Sequence, residues 1–307
     1  MNPAIGKVPA DVPAAAADTY LSNLKTATRG TGRLFLFAGD QKVEHLNDDF
    51  FGDGIADDDA DPEHLFRIAS EGAIGAFATQ IGLLARFGLD YPDVPYVAKL
   101  NAKTHLQRPA DADPRSLAWA TVADALTLRD RGLPIVGVGF SVYPGSEFES
   151  EQFAQASRIC IDAHQAGLLA ILWAYPRGRA VTDEKDPHVI AGAAGLGAAL
   201  GADFCKVNYP GGAAEDFAEA VRAAGRTRVI SAGGGSVGVG EFLGTLHDQI
   251  HIAGASGNAT GRNIHQKALA EAVQMTYAVA AVTNGDWSVE DALAVYEGTK
   301  TYQPPAR

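Results

Sequence analysis

Short apolar runs of strand length alternate with longer, helix-patterned segments along almost the whole chain. The runs at 33–39, 75–79, 96–101, 135–139, 169–173, 203–209, 228–232 and 249–254 read as strands. Between them apolar positions recur at helical spacing over 62–71, 81–87, 114–131, 149–166, 187–200, 215–224 and 239–246. Two more helices are expected over 263–282 and 286–297, and a short one at 18–28 precedes the first strand. Asp18, Asp61 and Asp113 stand where N-caps are expected, the last two directly before a proline, and Gly132 and Gly167 are expected stops. The segment 41–61 reads as a long polar loop.

Strand–helix alternation implies a parallel sheet. Eight such units within about 250 residues predict a closed (β/α)8 TIM barrel. The rival, an open doubly wound sheet, typically has fewer strands. No linker or change of composition divides the chain, so a single domain is expected over 1–307. Its parts are an N-terminal extension over 1–32, a barrel over about 33–282 and a C-terminal helix and tail over 283–307.

Composition narrows the function classes. Of 307 residues, 47% are hydrophobic and 20% charged, as in an ordinary globular protein. A net charge of -12 argues against a nucleic-acid surface, which needs clustered Lys and Arg. Seven aspartates within 48–61 suggest a saline cytoplasm, and the overall acidity a soluble, self-repelling surface. No run is long and apolar enough to span a membrane, and the first residues lack the pattern of a secretory signal, so a cytoplasmic location is expected. Cys160 and Cys205 cannot build a disulfide framework and are expected to be buried thiols.

The chemistry is sought where strands end, because a barrel of this kind places its site at the C-terminal face. In Asp203-Phe-Cys-Lys206-Val-Asn-Tyr209, alternation puts Phe204, Lys206 and Asn208 on one face. If that face lines the barrel, burial lowers the Lys206 pKa and leaves a neutral amine able to form a Schiff base with a carbonyl. Trp173 and Tyr175 share a face at the end of the fifth strand. There a tyrosine could pass protons, or the pair could simply cap the core. Asp40 ends the first strand, as a substrate-holding carboxylate or a helix cap. Lys99 is a second candidate nucleophile, or a cation that lowers the pKa of Lys206.

Two glycine-rich loops give the strongest local signal. Ser231, Gly233, Gly234 and Gly235 are expected after the seventh strand, and Gly254, Gly261 and Arg262 after the eighth. Loops at these two places recur as phosphate sites in barrels, and Arg262 can add a bidentate contact. Glu44, His45 and His64 lack a metal-binding pattern, and no metal is expected.

Together these residues resemble the archaeal-type class I fructose-bisphosphate aldolases over about residues 33–280. The match rests on Phe-Cys-Lys206-Val-Asn-Tyr, on Trp173-Ala-Tyr175-Pro-Arg-Gly, on Asp40 with Glu44 and His45, and on the two glycine loops. Where the family often has Asp-His, this chain has Asp40-Gln41. The resemblance implies metal-independent cleavage of fructose 1,6-bisphosphate, with no cofactor. Lys206 would be the Schiff-base lysine, Tyr175 the general acid/base, Asp40 and Trp173 further catalytic residues, and Lys99 and His45 substrate-binding residues. It also implies a homo-oligomer, with a decamer the family's form. The alternatives are a transaldolase-like synthase or thiolase acting on another phosphorylated ketose, and a non-catalytic sugar-phosphate-binding protein.

Overall fold

The computed structural model describes residues 7–108 and 111–307. The first six residues of the expected N-terminal extension lie outside the described residues. The eight strands are β1 (Leu34–Ala38), β2 (Ala76–Gln80), β3 (Tyr96–Lys99), β4 (Ile135–Val142), β5 (Leu169–Ala174), β6 (Phe204–Val207), β7 (Arg228–Ala232) and β8 (Gly257–Thr260). They pair in parallel in sequence order, and β1 pairs with β8 to close the barrel. The fold is therefore the (β/α)8 barrel expected from the alternation, and an open sheet is ruled out.

Among the described residues twelve α-helices accompany the strands: α1 (Ala17–Thr28), α2 (Gln41–Glu44), α3 (Glu63–Glu71), α4 (Ile81–Phe87), α5 (Val122–Asp130), α6 (Glu149–Gln165), α7 (Pro187–Ala199), α8 (Ala214–Ala224), α9 (Val239–His251), α10 (Arg262–His265), α11 (Leu269–Gly285) and α12 (Val289–Tyr296). Alternation along each strand divides the core into two layers. Phe35, Phe37, Phe77, Tyr96 and Phe140 point out and pack beneath the helices, each fully buried. Each such side chain contributes about 1.5–3 kcal/mol of burial. Leu34, Leu36, Val97, Leu169, Ile171, Phe204 and Ile230 fill the interior together with Val12, Tyr20 and Leu24 from the N-terminal segment and α1, which close the end opposite the site. That end is further tied by a buried polar chain: Tyr20 donates to Asp203, and His164 lies 3.1 Å from Asp203 and 2.7 Å from Asp11.

Five local expectations require correction. The run 249–254 is not the eighth strand; its first three residues end α9, whose Phe242, Leu243, Leu246, Gln249 and Ile250 form one buried helical face. The eighth strand is Gly-Asn-Ala-Thr, which has almost no apolar signal, and Gly257 permits its close approach to β1: a Cβ there would lie 2.0 Å from the Leu34 carbonyl oxygen. The helix expected over 114–131 forms only as α5, capped by Thr121 with Asp124 in a reciprocal box. Asp113 instead accepts the Glu147 N–H at 2.9 Å and the Arg179 N–H at 2.6 Å, tying together the loops after β4 and β5. The helix expected over 263–282 is broken between α10 and α11, and Asp18 lies inside the first turn of α1 without capping it. Finally, 41–61 is partly helical, carrying α2 and a short 3-10 turn at Asp57–Ala60. Asp61 does cap α3, accepting the Glu63 N–H at 2.9 Å.

Candidate active site

The interior-facing positions turn polar at the C-terminal ends of the strands. Lys206 of β6 stands level with Trp173 of β5, which stands level with Ser141 of β4. Gly139 opens the space behind them: a Cβ there would meet the Trp173 ring at 2.6 Å and the Lys99 Cδ at 3.0 Å. The indole ring consequently has two lysine nitrogens against it, Lys99 Nζ at 4.6 Å and Lys206 Nζ at 5.3 Å from its centre.

The two lysines have unlike surroundings. Lys99 is wholly buried and saturated with partners: it donates to the Ser141 hydroxyl at 2.8 Å and the Asn101 carbonyl at 3.1 Å. It also pairs with Asp40 at 3.4 Å and lies 3.8 Å from Glu44. Lys206 has no ion pair or hydrogen bond among the described residues, yet only 5% of its surface is exposed. Burial pushes its amine below the ordinary lysine value. Asp40 and Glu44 oppose that shift, and Lys99 and Arg262 reinforce it. Asp40 begins α2, but its side chain caps nothing; it faces Lys99.

Tyr175 is nearly buried beside this cluster. Burial, then the negative charges of Glu44 and Asp40, hold its phenol well above the ordinary tyrosine value, so it is protonated at neutral pH. Burial likewise raises the Glu44 carboxyl, with the Asp40 charge adding to the effect.

A cavity of about 330 Å³ opens above Lys206. Gly233, Gly234, Gly261 and Arg262 form one wall. The glycines there are needed. A Cβ on Gly261 would lie 2.7 Å from the Ala38 carbonyl oxygen and 2.2 Å from the Gln41 amide nitrogen, and Gly234 has φ +69°. Asn263 stitches the two loops together by donating to the Gly233 and Gly235 carbonyls at 3.1 and 3.0 Å. The loop after β3 brings Lys103 and His105 to the side facing loop seven, since β3 and β7 stand opposite in an eight-stranded ring. Arg177, which makes a bidentate pair with Glu184 at 2.9–3.0 Å, comes from the loop after β5. His45 also lines the cavity; burial lowers its imidazole below the ordinary value.

The barrel thus brings together Lys206, Tyr175, Trp173, Asp40, Lys99, His45, Gly233, Gly234, Gly261 and Arg262. Three expected residues lie elsewhere. Gly254 precedes β8, at the opposite end of the barrel, a consequence of the misplaced strand. Ser231 lies on the outward face of β7, where its hydroxyl donates to Gln249 of α9. Gly235 lines a neighbouring cleft toward α9 and not the cavity over Lys206. Sequence reasoning passed over Lys103, Tyr143 and Arg177, all in the cavity wall. Arg177 was within the quoted Trp-Ala-Tyr-Pro-Arg-Gly stretch, and Tyr143 follows β4 directly, so strand-end position could have found both.

Comparison with known proteins agrees with this geometry. A model described as DeoC/LacD family aldolase matches residues 34–267. A Methanocaldococcus jannaschii protein named fructose-bisphosphate aldolase/6-deoxy-5-ketofructose 1-phosphate synthase is 56% identical over 297 residues, 96% of this chain and 95% of that one. The structure of a fructose-bisphosphate aldolase from Slackia heliotrinireducens superposes with a TM-score of 0.94 at 52% identity, covering 97% of this chain and 95% of that one. An archaeal fructose-1,6-bisphosphate aldolase, solved with its catalytic lysine covalently bound to the carbinolamine intermediate, has a TM-score of 0.75 at 32% identity over 86% of this chain and 99% of that one.

Proposed function

The chain belongs to the DeoC/LacD family of aldolases, and we propose that it is a class I aldolase that cleaves fructose 1,6-bisphosphate reversibly through a Schiff base on Lys206. The observation that carries this reading is the buried, unpaired Lys206 amine among Trp173, Tyr175 and the Asp40–Lys99 pair. The solved archaeal relative, with its catalytic lysine caught as a carbinolamine, supports it.

In this mechanism the neutral Lys206 amine attacks the ketone carbon C2. The carbinolamine loses its hydroxyl as water and becomes an iminium. The iminium accepts the electron pair of the C3–C4 bond as that bond breaks, giving an enamine and glyceraldehyde 3-phosphate. The C4 hydroxyl proton goes to Tyr175. Because that phenol rests in its protonated form, it must hand its own proton on as it receives one. Glu44, which lines the same cavity, is the carboxylate placed to take it. Tyr175 then protonates the enamine carbon as Glu44 returns its proton to the phenol oxygen, and water hydrolyses the resulting iminium to dihydroxyacetone phosphate and the free Lys206 amine. Lys99 pairs with Asp40 and holds it close to the site, so that Asp40 assists proton transfer without pairing directly with the nucleophile.

The phosphate beside the ketone is held by the loops after β7 and β8, with Gly233, Gly234, Gly261 and Arg262 around it. Lys103 and Arg177 receive the far phosphate. Both cationic ends orient C2 at Lys206 and thereby lower the entropic part of the barrier. The reaction belongs to glycolysis or gluconeogenesis in the cytoplasm, where two free, buried cysteines fit a reducing environment. The assembly is the homo-oligomer that the resemblance implies.

One observation favours a second reading of the same site. Arg177 is already neutralised by Glu184, so the far end also suits an aldehyde without a phosphate. The M. jannaschii relative carries the name of such a synthase beside that of an aldolase. The test is to assay cleavage of fructose 1,6-bisphosphate with and without EDTA, and then condensation of dihydroxyacetone phosphate with a panel of aldehydes. EDTA-resistant cleavage that Lys206→Met abolishes is the expected result. Cleavage that survives in Lys206→Met overturns the mechanism.

A further inference from the structure

The acidic stretch 48–61 is largely exposed, but Asp49, Phe50 and Asp59 within it are buried. It wraps the loop after β8. The Asp49 carbonyl accepts the Gln266 side-chain N–H at 2.9 Å, and the Gln266 carbonyl accepts the Ala56 N–H at 3.0 Å. Asp59 pairs with the buried His265 at 2.7 Å, and Phe50 stacks on the His265 ring at 4.8 Å. Asp58 accepts the Leu269 N–H at the start of α11 at 3.0 Å. Loop one therefore fixes α10, the turn that carries Arg262.

Within this clasp Asp49 has a special position. Its residue is 7% exposed, and its Oδ2 has no hydrogen-bond partner. That oxygen lies 3.6 Å from Arg262 Nε and 3.5 Å from His45 Nδ1. The carboxylate thus faces the inner edge of the guanidinium. The terminal nitrogens of Arg262, at the cavity, donate to nothing among the described residues. A guanidinium offers its donors in a fixed planar fork, so holding the Nε side fixes where the other edge points.

We infer that Asp49 is a positioning residue for phosphate selection. It holds Arg262 from behind, so that the free edge of the guanidinium is aimed at a phosphate monoester bound between the loops after β7 and β8. The inference rests on the reading of that wall as a phosphate site. Burial lowers the His45 imidazole below its ordinary value; Asp49 opposes that shift, and Arg262 and His105 reinforce it.

The test compares wild type, Asp49→Asn, Arg262→Lys and the double variant, each first checked for an unchanged melting temperature. Two quantities are read: inorganic phosphate affinity by calorimetry, and borohydride trapping of dihydroxyacetone phosphate against dihydroxyacetone. Asp49→Asn is expected to weaken phosphate about fivefold and to raise half-saturation by dihydroxyacetone phosphate equally, with the trapped yield at saturation kept. In the Arg262→Lys background, which lacks Nε, the Asp49→Asn effect should vanish. If Asp49→Asn leaves phosphate binding unchanged or tightens it, Asp49 is only a competing charge and the inference is overturned. Equal losses with both ketones would also overturn it, since they would mark a general disturbance of the site. Should wild type trap neither ketone, the aldolase reading fails while the phosphate titrations still decide the role of Asp49. If the Asn variant melts early, the cycle is repeated with Asp49→Glu, which keeps the charge: affinity restored above that of Asn supports positioning, and affinity no better than Asn overturns it.

Discussion

Lys99 pairs with Asp40 at 3.4 Å, whereas Lys206 has no ion pair or hydrogen bond among the described residues. The two lysines flank one indole ring, yet only one is available as a nucleophile. Lys99 is engaged by a hydroxyl, a carbonyl and a carboxylate, so its nitrogen is not free to attack a carbonyl. A buried lysine without partners is pushed toward its neutral amine. Lys99 therefore serves as the fixed cation, and Lys206 as the reacting group.

Removing that cation should act on Lys206 through its charge. In Lys99→Met, Asp40 loses its partner and turns toward Lys206, whose amine becomes more basic. Because Lys206 reacts only when neutral, the acid limb of the pH–rate profile for imine formation should move to higher pH. The rate at neutral pH should fall by about a hundredfold or more, as for loss of a positioned proton-transfer group. The adduct should remain on Lys206. Losing the buried Lys99–Asp40 pair should also lower stability by up to about 3–5 kcal/mol, less what a new Asp40–Lys206 pairing restores, measured by urea unfolding. An unshifted acid limb would show that Lys99 does not tune the nucleophile.

Tyr175→Phe separates the two halves of the reaction. The ring remains and the hydroxyl is lost, so imine formation should persist while cleavage falls by about 10²–10⁴-fold. Single-turnover kinetics with fructose 1,6-bisphosphate would show an accumulating imine without release of glyceraldehyde 3-phosphate. Cleavage at the wild-type rate would remove Tyr175 from proton transfer.

Gly261→Ala tests the phosphate wall. Its methyl group would enter the space of the Gln41 amide and approach the Ala38 carbonyl oxygen at 2.7 Å, backbone that cannot easily move. The expected result is a rise in KM for the bisphosphate of about tenfold or more, with a smaller change in borohydride trapping of unphosphorylated dihydroxyacetone. Equal effects on both would place the disturbance at Lys206 instead.

His164 gives stability a pH dependence. Burial opposes its charge, but hydrogen bonds and charges from Asp203 and Asp11 outweigh that and raise the folded value to about 9. A raised folded value means that the contribution is complete below the unfolded value of about 6.5 and is lost as pH rises through about 9. Melting temperature should therefore decline between those limits in wild type, and His164→Gln should flatten that decline. An equal decline in both would assign it to other groups.

The barrel was legible because seven strands are apolar runs of ordinary length, each followed by a recognisable helix. The eighth was missed for a physical reason. Gly257-Asn-Ala-Thr260 is held by ladder pairing and by the absence of a side chain at Gly257, not by hydrophobic pattern, while Ile250 and Ile252 at the end of α9 imitate strand alternation. That one error displaced Gly254 to the wrong end of the molecule. The Lys206, Trp173 and Tyr175 face followed from alternation alone. The outward direction of Ser231 also follows from alternation, counted from Ile230, an interior residue. The roles of loop one were hidden, because its aspartates find their partners, Arg262, His265 and Leu269, more than two hundred residues away.

The most direct measurement is to incubate the protein with dihydroxyacetone phosphate and borohydride in the presence of EDTA and to map the reduced adduct by mass spectrometry. The account predicts a single adduct on Lys206. An adduct on Lys99, or none with any phosphorylated ketose tried, would contradict it.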